Sequence, residues 1–272
     1  MFKSIKYVFS ENFHNLYRIY SIAKYELLAD MRDSKFGIFW NFASPAVQVL
    51  TYWLIFGIAW DKQPIDGVPY LAWLIVGYSL WSFINPCLTG GCNAIFSKTS
   101  VITKMRFPVS ILPATVCAKN FFNHLCMMVI VFVVILCFGY TPNVYWLQLI
   151  YYAFCAFVFA EGVSLILSVL NMIWRDIRKL VVSLIRMLMY FSPVIWECEL
   201  SDSTQFASIV NFILKLNPCY YVINGYRDCF FYKEAFWEHP ELTLYFWCFV
   251  IVLYLIGCPL MYKFRKKFID YI

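Results

Sequence analysis

Residues 38–60 read IFWNFASPAVQVLTYWLIFGIAW, and this stretch decides the fold because it is long and apolar enough to cross a lipid bilayer. A transmembrane α-helix needs about 20 mostly apolar residues to cross roughly 30 Å of hydrocarbon. Pro45 lies near the beginning of the run and, because it has no N–H group, is expected to kink the helix there. The stretch therefore predicts a first transmembrane helix.

Similar apolar runs recur almost to the end of the sequence. They predict an all-α integral membrane fold with six transmembrane helices, at residues 38–60, 70–90, 108–139, 145–170, 180–196 and 243–262. The third run begins with polar residues and becomes uninterrupted apolar sequence only at LCMMVIVFVVILCF, residues 125–138. The fifth run is marginal in length, and Pro193 interrupts it.

The composition supports one membrane domain. Of the 272 residues, 62% are hydrophobic and 14% are charged, whereas a soluble domain usually carries about 25% charged residues. We divide the chain into a cytoplasmic amphipathic segment at residues 1–36 and a membrane domain at residues 37–272, beside which no soluble catalytic domain fits. The formal charge of +6 lies in short clusters between apolar runs, which argues against nucleic acid as a partner.

Lysine and arginine are distributed unevenly between the two sides that six spans define. One side collects sixteen of these residues, and the other side has only Lys62, Lys215, Arg227 and Lys233. Because the cytoplasmic side of a membrane retains basic residues, we expect both termini in the cytoplasm. An even number of spans, such as six, is required for that arrangement.

Two segments outside the spans have patterns of their own. Residues 10–28 place apolar side chains at three- and four-residue spacing, which predicts an amphipathic helix on the cytoplasmic membrane surface or against a partner protein. Residues 206–225, FASIVNFILKLNPCYYVING, are too apolar for a solvated loop and predict short external re-entrant helices before the last span. An extra crossing is the alternative, but it would leave the basic C-terminus outside.

The sequence lacks the common catalytic and nucleotide-binding motifs. Neither G-x-x-x-x-G-K-[ST], H-E-x-x-H nor G-x-S-x-G occurs, and the histidines His14, His124 and His239 are scattered. No catalytic residue, metal ligand or cofactor of this chain is therefore predicted. Most of the eleven cysteines fit small buried hydrophobes, but three share the external segment and could pair on an oxidising side: Cys198, Cys219 and Cys229.

Polar and aromatic residues inside the spans are the candidates for contact with a cargo. An unpaired charge in hydrocarbon costs several kcal/mol and normally faces protein or water. Glu161 and Lys119 lie at comparable depth and could form a buried ion pair, line a pathway or not meet at all. Aromatic rings could stack on sugars, although core packing is their ordinary role. The substrate-path candidates are Tyr52, Trp53, Trp81, Tyr151, Tyr152, Tyr190, Lys119 and Glu161.

Two cytoplasmic connections have the size and charge needed to dock on a separate ATPase. They read NAIFSKTSVITKMRFP at residues 93–108 and NMIWRDIRKLV at residues 171–181. The positive charge of these two connections is typical of ordinary cytoplasmic loops, but that interpretation does not account for their length. We expect the charged residues to steer association and the apolar ones to carry the docking energy. The coupling candidates are Ile95, Phe96, Lys98, Ile102, Lys104, Arg106, Arg175 and Asp176.

A series of short motifs runs nearly from end to end of the chain in a fixed order. It comprises Gly37, Trp40, Pro45, Gln48, Tyr52, Trp53, Phe56 and Gly57; Gly67 to Pro69; Lys104, Phe107, Pro108, Ile111 and Pro113; Arg175 and Asp176; YFSPVIW at residues 190–196; Asn217 and Pro218; and Tyr226 and Arg227. The chain resembles the permease subunits of type-2 ABC exporters, most closely those that export teichoic acid and other polysaccharides. Each motif is weak alone, and the order and spacing carry the resemblance.

The resemblance implies a homodimeric permease in a bacterial cytoplasmic membrane, with two copies of a separate ATPase that binds ATP and Mg²⁺. The glycan path would lie between the permease copies, and residues 92–107 would be the coupling segment. The implied cargo is a lipid-linked glycan polymer. A teichoic acid precursor on undecaprenyl diphosphate is the preferred one, and capsule or O-antigen-like glycans are alternatives. Another amphiphilic cargo is a further alternative. A membrane-embedded transferase would need convergent acid and base residues, which the sequence lacks.

Overall fold

A computed structural model describes residues 2–32, 35–37, 39–104, 107–197 and 205–265. Within these ranges the chain is helical and contains no β-strand, which confirms the predicted all-α fold class; an isolated bridge joins Ile65 and Val68. The α-helices are α1 Phe2–His14, α2 Leu16–Arg32, α3 Phe39–Tyr52, α4 Tyr70–Cys92, α5 Thr99–Ile102, α6 Leu112–Cys137, α7 Gln148–Ile173, α8 Ile177–Tyr190, α9 Gln205–Lys215, α10 Pro218–Arg227 and α11 Pro240–Phe264.

Five helical stretches of the described chain are long and apolar enough to cross a membrane. The first consists of α3 and a π-helical continuation at Trp53–Ala59, and α4 and α11 are two more. Short 3-10 turns extend α6 and α7 to Val109–Cys137 and Val144–Ile173. These stretches match the first four predicted spans and the sixth, so the protein is a multi-pass membrane protein.

The predicted fifth span at residues 180–196 is not a continuous helix. Helix α8 has 14 residues and ends at Tyr190, which gives a length of about 21 Å at 1.5 Å per residue. Pro193 prevents the helix from continuing, and the turn that follows is buried. Its carbonyl groups have partners: Asn217 Nδ2 donates to Phe191 O at 3.1 Å, and Tyr70 Oη donates to Ile195 O at 2.7 Å. The count of six spans is therefore not confirmed.

Helix α4 is the central element of the bundle. Of the five candidate spans it is the most deeply buried, and α6, α7, α8 and α10 all pack against it. Two glycines allow the close approach of α10. A Cβ atom on Gly77 of α4 would overlap the Arg227 guanidinium, and one on Gly225 of α10 would overlap the Tyr152 ring. Helix α10 is therefore fixed between α4 and α7.

We expect Gly225→Ala to destabilise the protein by about 1–3 kcal/mol, the usual range for overpacking a well-packed core. The added methyl group would occupy the space of the Tyr152 ring, which is itself buried. Thermal unfolding of the purified protein in detergent measures the loss of stability. Gly257→Ala is the matched control, because its Cβ would lie 3.2 Å from Ile166 Cγ1, at a side chain that can yield. Equal stability of the two variants would contradict the packing argument.

The polar first half of α6 is used for contacts between helices. Asn123 accepts a hydrogen bond from Asn41 Nδ2 of α3 at 3.1 Å. The buried His124 ring joins α4 to α10, since Nδ1 lies 3.1 Å from Ser79 O and Nε2 lies 3.0 Å from Tyr226 Oη. Buried polar groups stabilise a fold only when they are hydrogen-bonded, and these residues meet that condition.

Helices α1 and α2 form the predicted amphipathic segment as two helices rather than one. Helix α1 packs against α11, and α2 packs against α6. The Glu11 carboxylate of α1 accepts hydrogen bonds from Tyr7 Oη at 2.6 Å and from Ser110 Oγ. Burial, together with Glu11, raises the pKa of Tyr7 to about 12. Location of these helices at the membrane surface stays a prediction.

Candidate functional site

The coupling segment, residues 92–107, folds as a 3-10 turn at Phe96–Lys98 followed by the short α5. Ile95 and Ile102 are 0% and 8% exposed and pack in a cluster with residues of α6, α7 and α11. Their side chains therefore face the interior of the single chain, and direct contact between them and an ATPase stays a prediction. Phe96 is 37% exposed, and Lys104 is exposed as well. Arg106 lies outside the described residues.

The two predicted coupling connections lie next to each other. The Arg175 guanidinium lies over the Phe96 ring, 5.2 Å from its centroid. Lys98 Nζ forms an ion pair with Glu26 Oε1 of α2 at 2.6 Å, which fixes the coupling segment to α2. Asp176 pairs with Lys179 at 3.1 Å on the surface. The structure thus brings most of the coupling candidates to one end of the bundle.

A basic cavity of about 520 Å³ lies between the coupling segment and α8. Its lining contains four cationic side chains and no acidic one: Asn93, Phe96, Asn171, Arg175, Arg178, Lys179, Val182, Ser183 and Arg186. The buried Oδ1 atoms of Asn93 and Asn171 have no hydrogen-bond partner within the described chain. The four cationic side chains give the cavity a positive potential. The cavity is therefore suited to an anion.

Helix α8 presents a divided surface. Val181, Ile185 and Met189 are buried on one face. The exposed face carries an apolar strip, Leu180, Leu184 and Met187, and a polar strip, which comprises Lys179, Ser183, Arg186 and Tyr190. Charged side chains inside a membrane normally face protein or a water-filled cavity. The polar strip, which begins at the basic cavity, is therefore the best candidate for the wall of a pathway.

The predicted aromatic path residues divide into exposed and buried ones. Tyr190 is 59% exposed on the polar strip. Tyr52 and Trp53 are half-buried, and Tyr52 Oη lies 3.7 Å from Met189 Sδ of α8. In contrast, Trp81 and Tyr152 are 3% and 2% exposed and belong to the core. Direct contact of Trp81 and Tyr152 with a cargo stays a prediction, and in this structure both side chains pack in the interior.

Tyr151 belongs to a hydrogen-bond network that holds α7, α10 and α11 together. Its hydroxyl oxygen accepts from Trp247 Nε1 at 3.0 Å and lies 3.0 Å from Tyr221 Oη. Tyr221 Oη lies in turn 3.0 Å from Thr243 Oγ1. With its hydroxyl engaged in this way, Tyr151 has a structural role that its position in the sequence does not reveal.

Lys119 and Glu161 do not pair with each other. Lys119 Nζ lies 2.6 Å from Asp30 Oδ2, which joins α6 to α2. Glu161 Oε2 accepts a hydrogen bond from Tyr254 Oη of α11 at 3.1 Å. The ion pair considered from sequence is therefore not formed in this structure, and a position of either residue along a pathway stays a prediction.

A second group of chemically notable residues lies at the opposite end of the bundle. Asp228, Glu234 and His239 each offer one ligand atom, and these atoms all lie within 4.8 Å of one another. Burial, followed by the charge of Glu234, raises the pKa of Asp228 to about 7. In the sequence, the spacing D-x₅-E-x₄-H is the one signal that relates the three members of this carboxylate–histidine cluster, and it matches no common metal-binding motif.

The three cysteines that the sequence predicts to be external are only partly described. Cys219 and Cys229 are buried free thiols, and Cys198 lies outside the described residues. A disulfide between Cys219 and Cys229 is therefore not formed in this structure.

Comparison with known proteins gives one family. The family model described as "ABC-2 type transporter" matches residues 17–231. A Myxococcus xanthus protein named O-antigen export system permease protein RfbA is 26% identical over 224 residues, which cover 82% of this chain and 84% of that protein. A Klebsiella pneumoniae protein of the same name is 25% identical over 251 residues, 92% of each chain.

Proposed function

Because this chain belongs to the ABC-2 type transporter family, we propose that it is the permease subunit of an ATP-driven exporter of a lipid-linked polysaccharide. The relatives named as O-antigen export permeases support polysaccharide as the cargo. The absence of a nucleotide-binding loop from the sequence supports a separate ATPase subunit as the partner.

The observation that carries the lipid-linked part of the proposal is the basic cavity. A glycan joined to a lipid through a diphosphate brings two adjacent anionic groups to the membrane surface. Arginine binds phosphate oxygens with two parallel hydrogen bonds and is weakly hydrated, so it is well suited to that group. Arg175, Arg178 and Arg186 all line this one cavity.

We place the path along the polar strip of α8, between two copies of the chain. The first membrane-spanning stretch, Phe39–Ala59, supports this arrangement, because only 6% of its most apolar part is buried in the single chain. A second copy could cover α3 and the apolar strip of α8 while the polar strips of both copies face a common space. Tyr190, Tyr52 and Trp53 would then offer rings to the sugar units.

The coupling segment is proposed to dock on the ATPase through Phe96 and Lys104, with Ile95 and Ile102 supporting it from inside. This role requires the coupling segment and both termini to be cytoplasmic, as the distribution of basic residues indicates. The external location of residues 201–204 follows from the same argument, and these residues lie outside the described part of the chain.

The relatives favour an O-antigen-like polysaccharide over the teichoic acid polymer that the sequence motifs favoured. Both polymers can be carried on a lipid diphosphate, so the basic cavity does not distinguish them. The lipid-linked material that accumulates in cells lacking this permease identifies the cargo by its sugar and phosphate content.

We expect the purified chain alone to show no ATP turnover, because it lacks the loop that would hold the phosphates. Co-expression with its ATPase should give a complex with two copies of each chain and ATP turnover. Mass measurement of the intact complex and phosphate release test the two statements. ATP hydrolysis by the isolated permease, or a complex with one permease copy, would contradict the proposal.

A further inference from the structure

We propose that Asp228, Glu234 and His239 form a binding site for a divalent transition-metal ion, with Zn²⁺ as the best-suited ion. The three ligand atoms all lie within 4.8 Å of one another. Asp228 directly follows α10, and His239 directly precedes α11. The proposal concerns the end of the bundle opposite the coupling segment and does not depend on the nature of the cargo.

The donor set selects the class of metal. Imidazole nitrogen suits zinc and other transition metals, whereas Mg²⁺ and Ca²⁺ prefer oxygen ligands alone. One histidine with two carboxylates provides three protein ligands, the number found at open zinc sites.

The distance between His239 and Glu234 is close to the one that a zinc ion requires. Bonds of about 2.0–2.2 Å from zinc to nitrogen and oxygen place tetrahedral donors roughly 3.3 Å apart. Nε2 of His239 lies 2.8 Å from Oε2 of Glu234. A metal ion would replace this hydrogen bond after the two atoms separate by about 0.5 Å. The carboxylate of Asp228 would have to move by a distance that is ordinary for a side chain before it could serve as the third ligand.

The Asp228 carboxylate supports the presence of a cation independently of those distances. It is partly buried and faces the charge of Glu234. Within the described residues, no hydrogen bond or ion pair reaches its side chain at contact distance. The guanidinium of the neighbouring Arg227 lies 3.3 Å from the centre of the Trp73 ring and donates to Asn224 Oδ1 at 3.0 Å. A metal ion would provide the contact that Asp228 lacks.

The backbone that carries the ligands is held in place by α7 and α11. Gln148 of α7 accepts a hydrogen bond from Phe236 N at 2.9 Å and donates one to Glu234 O at 3.4 Å. Thr243 Oγ1 of α11 donates to His239 O at 3.0 Å. Glu234 and His239 are about half exposed, so an ion can enter from solvent. The site is therefore largely preformed and accessible.

A bound metal ion would connect the end of α10 to the beginning of α11. It would also leave a fourth coordination position for water or for an oxygen atom of a ligand. A cavity of about 280 Å³ borders Asp228 and His239 and provides room for such a ligand. The site would thus fix α10 to α11.

The test uses the full-length permease, purified in detergent and freed of metal with a chelator that is then removed. Calorimetry with ZnCl₂ should give one ion per chain, and CoCl₂ should produce the visible absorption of a tetrahedral Co²⁺ site. His239→Ala and Asp228→Asn should each weaken Zn²⁺ binding at least about tenfold, since even the loss of an outer-shell partner weakens metal sites by that factor. His14→Ala is the matched control, because His14 is an exposed histidine at the other end of the bundle.

Retention of full Zn²⁺ affinity by His239→Ala, or the absence of the tetrahedral Co²⁺ spectrum from the unaltered protein, would overturn the proposal. Circular dichroism separates loss of the site from loss of the fold. If either variant fails to fold, Glu234→Gln provides the same comparison, because it keeps the shape of the side chain and removes its charge.

Discussion

Replacement of both Arg178 and Arg186 by glutamate is expected to reduce polysaccharide export by about 100-fold or more. Each charge-assisted contact with a phosphate group contributes roughly 1.5–3 kcal/mol, and about 1.4 kcal/mol corresponds to a factor of ten. Both residues line the basic cavity, and the introduced carboxylates would repel the anion that the arginines bind. Surface polysaccharide in cells that depend on the variant permease measures the effect.

The charge change needs a control that leaves the cavity intact. Lys6→Glu combined with Lys24→Glu changes the net charge by the same amount at exposed positions of α1 and α2. We expect this control to export normally. The Arg178 and Arg186 variant should still recover the ATPase and enter the membrane. Normal export by that variant would show that the basic cavity does not hold the cargo.

Phe96→Asp is expected to abolish export and to reduce recovery of the ATPase with the permease at least about tenfold. A buried aromatic anchor at the centre of an interface typically contributes 2 kcal/mol or more. Among the described residues of the coupling segment, Phe96 has an exposed large apolar side chain, and Arg175 lies over its ring. Export, complex recovery and membrane insertion are measured together. We expect export and recovery of the ATPase to be lost while membrane insertion of the permease is unchanged.

Two further variants distinguish docking from folding. Phe96→Leu keeps an apolar side chain and should retain most of the complex. Ile102→Asp should reduce the amount of folded permease itself, because Ile102 is only 8% exposed and a buried unpaired charge is costly. Normal ATPase recovery by Phe96→Asp would place the docking surface elsewhere, and Arg175 with Asp176 would be the next candidates.

The sequence predicted the membrane-spanning stretches well because their signal is local. Twenty consecutive apolar residues have few alternatives to a transmembrane helix, and the predicted 70–90 and 243–262 correspond to Tyr70–Cys92 and Pro240–Phe264. The end of α8 was harder to place. Apolar composition continues through residues 191–196, but Pro193 and the partners Asn217 and Tyr70 stabilise a buried turn there.

The roles of single side chains were predicted less well, because they depend on partners that are distant in sequence. Ile95 and Ile102 are apolar residues in a basic loop, and only the packing of α6, α7 and α11 shows that they face inward. Likewise, equal depth suggested a pair between Lys119 and Glu161, but depth does not define which face of a helix a residue occupies. Asp30 and Tyr254 were the partners instead.

Helix α2 holds two ion pairs one turn apart, from Glu26 to the coupling segment and from Asp30 to α6. A displacement of the coupling segment by the ATPase therefore cannot leave α6 in place without breaking one of these pairs. Helix α6 in turn contacts Tyr226 of α10 through a buried histidine. The three contacts connect the coupling segment to α10 through α2 and α6, and we expect a displacement at one end of the bundle to be transmitted to the other.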